Sequence, residues 1–191
     1  MKRKIVCLVG MPGAGKTTVA EEFIKNGFAY LRFGQIVIDE LKKLGLKISE
    51  ANERKIRESL RKKYGMGAFA ILNIPKIDKI LKKSNVVVDG LYSWTEYKIM
   101  KKKYRERMYV VAVFAPPKLR YKRLTERKEK DKESRFRPLT KKEAISRDFA
   151  EIENLEKGGP IAMADFTVLN VGSLKELKEN VQKVIKKIKN D

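Results

Sequence analysis

Strand-like and helix-like patterns of hydrophobic and polar residues alternate along the chain. The first, third and fourth strand-like runs are almost continuously apolar, which is typical of strands buried on both faces of a parallel sheet. The five predicted strands are residues 4–9, 28–32, 85–89, 109–115 and 166–169. Between the strands, apolar residues recur at spacings of three and four, as they do on one face of a helix. The alternation predicts an α/β fold.

Eight segments show helical patterns. They are residues 16–25, 36–44, 49–64, 68–83, 93–103, 118–127, 173–189 and a segment that starts at 140 and ends at the glycines 158 and 159. Thr140 and Glu143 have the spacing of a capping box, in which each side chain bonds to the other residue's backbone N–H. Pro75 lies inside the fourth segment, so we expect that helix to kink or to split in two.

A glycine-rich stretch between the first strand and the first helix fits the spacing G-x-x-x-x-G-K-[ST]. Glycines let backbone N–H groups turn around a polyphosphate, the lysine reaches the β- and γ-phosphates, and the threonine hydroxyl binds Mg²⁺. The start of the following helix adds positive charge from its dipole. The predicted nucleotide-binding residues here are Gly10, Pro12, Gly13, Ala14, Gly15, Lys16, Thr17 and Thr18.

Asp89 directly follows three valines and precedes Gly90 at the end of the third strand. The carboxyl ends of parallel strands meet at one edge of a sheet, so we expect this carboxylate to lie near the glycine-rich loop. A carboxylate in that place can hold Mg²⁺ through water. Thr17 and Asp89 are therefore the predicted metal ligands, and the alternative for Asp89 is a strand-ending turn.

Arginines are concentrated after the fourth strand. Arg120, Arg123 and Arg127 recur at spacings that place them on one helix face. Residues 128–139 are charged and lack apolar periodicity, which predicts a basic lid. Phosphoryl transfer develops negative charge that an arginine can neutralise. The predicted catalytic residues are Lys16, Asp89, Arg123, Arg127 and Arg147, and the alternative for the arginines is a solvated basic surface.

The formal net charge is +21, from 45 Lys and Arg against 24 Asp and Glu. Such a charge attracts polyanions, so non-specific nucleic-acid binding is one interpretation. A lysine-rich surface of the kind found in thermophiles is the other.

No apolar run reaches the roughly 18 residues of a membrane span, and glycines interrupt the first apolar run too early for a signal peptide. We therefore expect a cytoplasmic protein with no membrane partner.

These motifs together resemble the P-loop nucleoside-monophosphate kinases, in particular the adenylate-kinase-related and dephospho-coenzyme-A-kinase-like proteins of archaea and bacteria. The matching stretches are residues 10–17, 33–35, 60–66, 86–90, 115–127, 146–148, 164–165 and 170–173. The resemblance implies a three-layer fold, with helices on both faces of a five-stranded parallel sheet in the order 2-3-1-4-5. It also implies one domain over residues 1–191, with an acceptor-binding segment at about 34–84 and the lid at about 128–139. ATP and Mg²⁺ are the implied cofactors, and Asn170 and Gly172 the implied neighbours of the adenine ring.

The sequence departs from that family on the acceptor side. Relatives often read Gly-Asp-x-x-Arg after the second strand, but here Ile38 stands in the arginine position. They often carry an arginine shortly after the third strand, where this chain has Leu91-Tyr92-Ser93. The second strand also ends without the carboxylate that a hydroxyl acceptor requires. The predicted acceptor-binding residues are therefore Gly34, Arg57, Arg61 and Tyr92, with Arg32 as a further substitute.

Two functions follow from these patterns. The leading hypothesis is a kinase that moves the γ-phosphoryl group of ATP to a small nucleotide-like acceptor, such as a nucleoside monophosphate or dephospho-coenzyme A. The alternative is a nucleic-acid-associated ATPase that resembles the adenylate-kinase-like ribosome-assembly ATPases. The high positive charge and the two missing arginines favour the alternative, and the complete phosphate-binding motif is compatible with both.

Overall fold

A five-stranded parallel sheet with the strand order β2-β3-β1-β4-β5 forms the centre of the molecule. The computed structural model describes residues 2–127 and 138–191. The strands are β1 (Ile5–Val9), β2 (Ala29–Arg32), β3 (Val86–Asp89), β4 (Met108–Phe114) and β5 (Phe166–Leu169). The predicted α/β class, the five strands and their order are therefore confirmed.

Helices connect the strands and close the chain. They are α1 (Lys16–Lys25), α2 (Gln35–Lys43), α3 (Glu50–Tyr64), α4 (Ala68–Leu81), α5 (Trp94–Tyr104), α6 (Pro117–Thr125), α7 (Lys141–Glu153), α8 (Gly158–Ala162) and α9 (Leu174–Asn190). A 3₁₀ turn at Arg105–Arg107 leads into β4. The capping box of Thr140 and Glu143 at the start of α7 is present as predicted.

Two helix predictions need correction. The helix that starts after Thr140 ends at Glu153, and the glycines at 158 and 159 begin α8 instead of ending α7. Glu156 adopts a positive φ of 51°, which interrupts the helix between them. Of the two outcomes predicted at Pro75, a kink or a split, the split does not occur, because α4 continues through the proline as one helix. Buried residues on both sides of the proline anchor α4 to the sheet, and this packing outweighs the lost backbone hydrogen bond.

The sheet separates two hydrophobic cores. Within β1, Ile5, Cys7 and Val9 contact the core under α2, α4 and α5, whereas Val6 and Leu8 contact the core under α1 and α9. This alternation is what a strand period of two requires when both faces are covered. The expected three-layer arrangement is therefore confirmed. No helix in the described ranges combines the length and apolar character needed to cross a membrane.

The packing of α9 generates a stability prediction. Ile185 is 2% exposed in the α9 core, whereas Ile24 on α1 is 44% exposed. We expect Ile185→Ala to lower the free energy of unfolding by about 2–5 kcal/mol, because it removes buried methyl groups and leaves a cavity. Ile24→Ala, the matched control, should cost far less. Urea unfolding with an unchanged m-value measures both, and equal losses would show that α9 does not carry this core.

Candidate active site

The loop between β1 and α1 has a backbone that only glycine accommodates. Gly10, Gly13 and Gly15 have φ values of 137°, 78° and 102°. A Cβ atom at Gly10 would lie 2.3 Å from the carbonyl oxygen of Val113, and one at Gly13 would lie 2.8 Å from that of Arg120. The loop thus packs directly against β4 and α6. This curled backbone is the geometry that turns N–H groups toward a phosphate.

Lys16 extends across the mouth of this loop. Its Nζ donates hydrogen bonds to the carbonyl oxygens of Gly10 at 2.8 Å and Met11 at 3.2 Å. Burial, followed by the positive charge of Lys157, lowers the pKa of Lys16 to about 7, and Asp89 opposes that shift. The lysine is thus held at the phosphate position by neutral carbonyls, and its proton is easily lost in the free protein.

The other predicted residues of the loop lie around this lysine. Thr17 is exposed and Thr18 is half-buried at the start of α1, while Pro12 and Ala14 are buried beneath the loop. The N–H of Ala14 donates to the carbonyl of Met11 at 3.2 Å, which closes the turn.

A buried ion pair supports the loop from below. Arg120 on α6 contacts Asp148 on α7 through two nitrogens, with distances of 2.8 and 2.6 Å. The same guanidinium donates to the carbonyl oxygens of Pro12 at 3.1 Å and Ala115 at 3.0 Å. Arg120 shares a helix spacing with Arg123, but these contacts commit it to the protein interior and not to a phosphate. Its role as a support could not be recognised from the spacing.

Asn170 and Arg123 hold the opposite side of the loop. The Nδ2 of Asn170 donates to the carbonyl oxygen of Ala14 at 2.8 Å. Arg123 donates through Nη2 to the backbone oxygen of Asn170 at 3.0 Å and to its Oδ1 at 3.2 Å, and its Nη1 is buried without a partner. Gly172, by contrast, is exposed and packs beside Glu176 at the start of α9. The structure therefore brings Asn170 and Arg123 to the loop, while Gly172 lies farther out.

Asp89 ends β3 at the same edge of the sheet. It is half-buried, and it pairs in register with Leu8 of β1 on one side and Arg32 of β2 on the other. Its Oδ2 accepts a hydrogen bond from the hydroxyl of Tyr30 at 3.2 Å. Gly90 then turns the chain with a φ of 101°.

The residues at this edge suit Mg²⁺ better than a transition metal. Mg²⁺ takes oxygen ligands and is usually bound by one or two protein groups together with phosphate oxygens and water. The Thr17 hydroxyl and the Asp89 carboxylate are such groups. The described residues contain no cluster of three or more His, Cys, Asp or Glu that could hold a metal alone. The donor set therefore fits a metal that arrives with a nucleotide.

A line of charged side chains runs from α7 toward Tyr92. Lys157 is 1% exposed, forms an ion pair with Oε2 of Glu151, and lies 4.9 Å from the centre of the Tyr92 ring. Oε1 of Glu151 accepts a hydrogen bond from Nε of Arg147 at 3.1 Å. Burial alone would raise the pKa of Glu151, but Lys157 and Arg147 together lower it to about 2. Sequence reasoning missed Lys157 and Glu151, because neither belongs to a motif and a lysine beside two glycines indicates a surface turn.

Arg127 and Arg147 influence each other electrostatically. Burial, and after it the charge of Arg147, lowers the pKa of Arg127, while Arg147 itself is exposed. Most of the predicted lid, residues 128–137 of 128–139, lies outside the described residues. Leu139, at its end, packs in a small cluster between α6 and α7.

The predicted acceptor-binding segment, residues 34–84, forms α2, α3 and α4. Arg61 on α3 lies 5.4 Å from the centre of the Phe69 ring, and its Nε is buried without a partner. Burial lowers its pKa, and the charge of Glu96 opposes this effect.

Oε2 of Glu96 accepts hydrogen bonds from the N–H groups of Tyr92 at 2.8 Å and Ser93 at 3.2 Å, whereas Oε1 is buried without a partner. Burial raises the pKa of Glu96 to about 7.

The other acceptor candidates differ in whether their donors are already engaged by the protein. Gly34 lies beside Arg32, whose Nε is 3.8 Å from the position of a Cβ on that glycine and whose Nη1 is buried without a partner. Arg57 forms an ion pair with Glu53, one turn away on α3, at 3.3 Å. Arg32 and Arg61 therefore carry unpaired buried donors, and Arg32, which the sequence suggests as a substitute, is as much an acceptor-site candidate as Arg61.

Comparison with known proteins places this chain in a family. Residues 6–165 match the AAA domain family AAA_18. The UPF0200 proteins of Thermococcus gammatolerans and Pyrococcus horikoshii are 38% and 33% identical, over 96% of this chain and 95% and 97% of theirs. Shikimate kinase from Bacteroides thetaiotaomicron superposes with a TM-score of 0.60 at 14% identity, over 97% of this chain and 98% of that one.

A second solved structure gives the same result. Shikimate kinase from Acinetobacter baumannii, in complex with shikimate, superposes with a TM-score of 0.57 at 17% identity, over 98% of this chain and 94% of that one. At these identities the likeness shows the fold alone, which is that of the P-loop kinases.

The support beneath the loop generates a prediction. Asp148→Asn leaves the buried Arg120 guanidinium without its counter-charge, so we expect unfolding to become about 3–5 kcal/mol easier. The matched control is Glu126→Gln, which removes an exposed ion pair to Lys122 at 3.9 Å and should change stability little. Denaturant unfolding of both variants compares them. Equal effects would mean that the Arg120–Asp148 pair does not hold the loop.

Proposed function

The chain belongs to the AAA domain family AAA_18, together with the UPF0200 proteins, and we propose that it is an ATP-dependent phosphotransferase acting on a small acceptor. The family and the fold make it a P-loop nucleotide-binding protein. The observation that carries the further step is that two arginines outside the loop, Arg32 on β2 and Arg61 on α3, each have a buried nitrogen without a hydrogen-bond partner among the described residues. An ATPase needs only the loop, whereas these nitrogens can donate to an anionic acceptor.

On the donor side, the loop amides and Lys16 bind the β- and γ-phosphates. Thr17 and Asp89 are the residues that would hold Mg²⁺, which when bound neutralises charge on those phosphates. Arg123 reaches the loop through Asn170, so it orients the nucleotide. Arg127 and Arg147 are the candidates for the transferred group. Catalysis in this assignment is positioning and charge neutralisation, with no covalent intermediate on the protein.

On the acceptor side, Arg32 and Arg61 bind an anionic group, either a phosphate or a carboxylate. Gly34 leaves room beside Arg32, and the Tyr92 ring offers a face or a single hydrogen bond to the acceptor. A nucleoside monophosphate or dephospho-coenzyme A carries both a phosphate and a base, so these acceptors remain the proposed class. Where the acceptor atom is a hydroxyl, Asp89 is the group at the sheet edge that can take its proton.

The net charge of +21 favours a second candidate, an ATPase whose turnover depends on nucleic acid. The two functions differ in where the phosphoryl group goes. A kinase places it on an acceptor, and an ATPase places it on water.

The deciding experiment follows label from γ-labelled ATP. Nucleoside monophosphates, nucleosides, dephospho-coenzyme A and shikimate are offered in turn, each with and without RNA. We expect ADP release to depend on one class of acceptor, with the label recovered in it. ADP release that requires RNA and puts all label into inorganic phosphate would instead establish the ATPase.

Lys16 supplies a prediction with a pH signature. Lys16→Ala should abolish ATP turnover in a folded protein, because it removes the charge aimed at the β- and γ-phosphates. In the wild type, a lysine with a pKa of about 7 is mostly neutral at pH 8 and must regain its proton when phosphates bind. Binding of a non-hydrolysable ATP analogue at pH 8 should therefore be accompanied by net proton uptake of roughly one proton per site or less.

Calorimetry in two buffers of different ionisation enthalpy measures that uptake. Lys16→Arg is the matched control, because its guanidinium stays charged and should take up no proton. Equal uptake by the wild type and Lys16→Arg would assign the proton to another group. Normal ATP turnover by a folded Lys16→Ala variant would contradict the assignment of this loop as the phosphate-binding site.

Arg61 and Arg57 separate the acceptor site from a basic helix surface. Arg61→Ala should raise the KM for the acceptor by about 10- to 100-fold, the loss expected for a hydrogen bond to a charged group. The KM for ATP should stay within about twofold, because Arg61 does not line the loop. Arg57→Ala should have a smaller effect, since Glu53 already engages that guanidinium. Steady-state kinetics test both, and wild-type acceptor kinetics in both variants would exclude α3 from the acceptor site.

A further inference from the structure

A basic cleft of about 360 Å³ opens at the end of the sheet opposite the phosphate loop. Its lining comes from the residues that precede β1, β2 and β3 and from the end of α9. In a parallel sheet the amino ends of the strands meet at one edge and the carboxyl ends at the other, so this cleft and the candidate active site lie at opposite poles. The five cations of the cleft are Lys2, Arg3, Lys4, Lys83 and Lys189.

These five cations have no carboxylate partners. None of them forms an ion pair with any residue of the described chain, in contrast to surface lysines such as Lys25 and Lys43. Their polar contacts are neutral: Arg3 donates to the carbonyl of Leu81 at 3.3 Å, and Lys189 donates to that of Asn26 at 2.8 Å. Glu106 and Asp191 lie with Lys2 and Lys4 around an adjoining depression, but the cleft itself is lined by cations and neutral residues, so it favours an anionic ligand.

Two of the ammonium groups are held in place by aromatic rings. Lys4 lies 5.3 Å from the ring centre of Tyr109 and donates to its hydroxyl at 3.3 Å, and Lys189 lies 5.9 Å from the ring centre of Phe28. Cation–π contacts of this kind restrict long side chains that would otherwise be mobile. Less side-chain entropy is then lost when a ligand binds.

The rest of the lining identifies the kind of anion. It consists of a glycine, a serine and an asparagine, so no large apolar side chain is available to enter a lipid layer. No aromatic side chain lines the cleft, so a base has no surface on which to stack. Phosphate contacts position a nucleic acid without reading its sequence. We propose that this cleft binds the phosphodiester backbone of a nucleic acid, independently of sequence and of the candidate active site.

Matched variants separate a local site from the general charge of the protein. The cleft variant is Lys2→Gln, Lys83→Gln and Lys189→Gln together, and the control variant is Lys62→Gln, Lys102→Gln and Lys175→Gln. All six lysines are exposed, and each variant lowers the formal net charge by three. Neither set includes a residue assigned to the candidate active site, so ATP turnover should be unchanged in both.

The measurement is fluorescence anisotropy of a labelled 20-nucleotide oligouridylate at 50 and 200 mM salt. We expect the cleft variant to bind at least about tenfold more weakly than wild type, with a salt slope smaller by about 2, since about 0.7 ion is released per phosphate contact on single strands. The control variant should stay within about threefold of wild type.

Three results would overturn the proposal. Equal weakening in both variants would show a diffuse charge effect, and no binding by wild type at 50 mM salt would show no site. In a third arm, unlabelled inorganic polyphosphate and phosphatidylserine vesicles are tested as ligands. If either binds through the cleft lysines while oligouridylate binding is the same in all three proteins, the natural anion is not a nucleic acid. Equal urea midpoints for the three proteins establish that each is folded.

Discussion

The buried Arg120–Asp148 pair is the interaction on which the phosphate loop depends. The loop backbone has a positive φ at three glycines, residues that also have many other conformations open to them, so neighbouring contacts are needed to fix its shape. Arg120 fixes the Pro12 carbonyl from α6, Asp148 fixes Arg120 from α7, and Asn170 fixes Ala14 from the far end of β5. Segments more than 100 residues away in sequence therefore shape an eight-residue motif. Without these contacts the motif would keep its sequence, but its backbone would have no defined shape.

The candidate active site has more cationic side chains than carboxylates around Lys16, and this imbalance explains its electrostatics. Lys16 donates to backbone carbonyls, and burial, followed by the positive charge of Lys157, lowers its pKa. Glu151 is the carboxylate that binds both Lys157 and Arg147, and it stays ionised far below its ordinary range for that reason. Phosphate oxygens can replace carbonyl oxygens around Lys16 and add the missing negative charge. The candidate active site is thus electrostatically prepared for a polyanion.

The fold and the phosphate loop were predictable because their signals are local. Three apolar strands, the G-x-x-x-x-G-K-T spacing and the capping box at Thr140 each depend on neighbouring residues in sequence. Lys157, Glu151 and the support role of Arg120 could not be predicted, because burial of a charged side chain depends on which distant segment covers it. The same limit explains Pro75, where packing of α4 on the sheet outweighs a local signal. The sequence pattern predicts the donor-side residues of the candidate site and leaves their electrostatic surroundings undefined.

The acceptor side shows why the missing arginines do not exclude a kinase. Ile38 stands where relatives carry an arginine, and it is 2% exposed, so the chain uses that position for packing. Tyr92 stands near the second missing position, and Glu96 fixes its backbone while Lys157 covers its ring. The positive charge is supplied instead by Arg32 from β2 and Arg61 from α3, both with buried unpaired nitrogens. Leaving such donors unsatisfied is costly, and in the proposed kinase an anionic acceptor would satisfy them. Arg32 pairs in register with Asp89, so this cationic side chain stands at the sheet edge without an arginine at position 38 or 92.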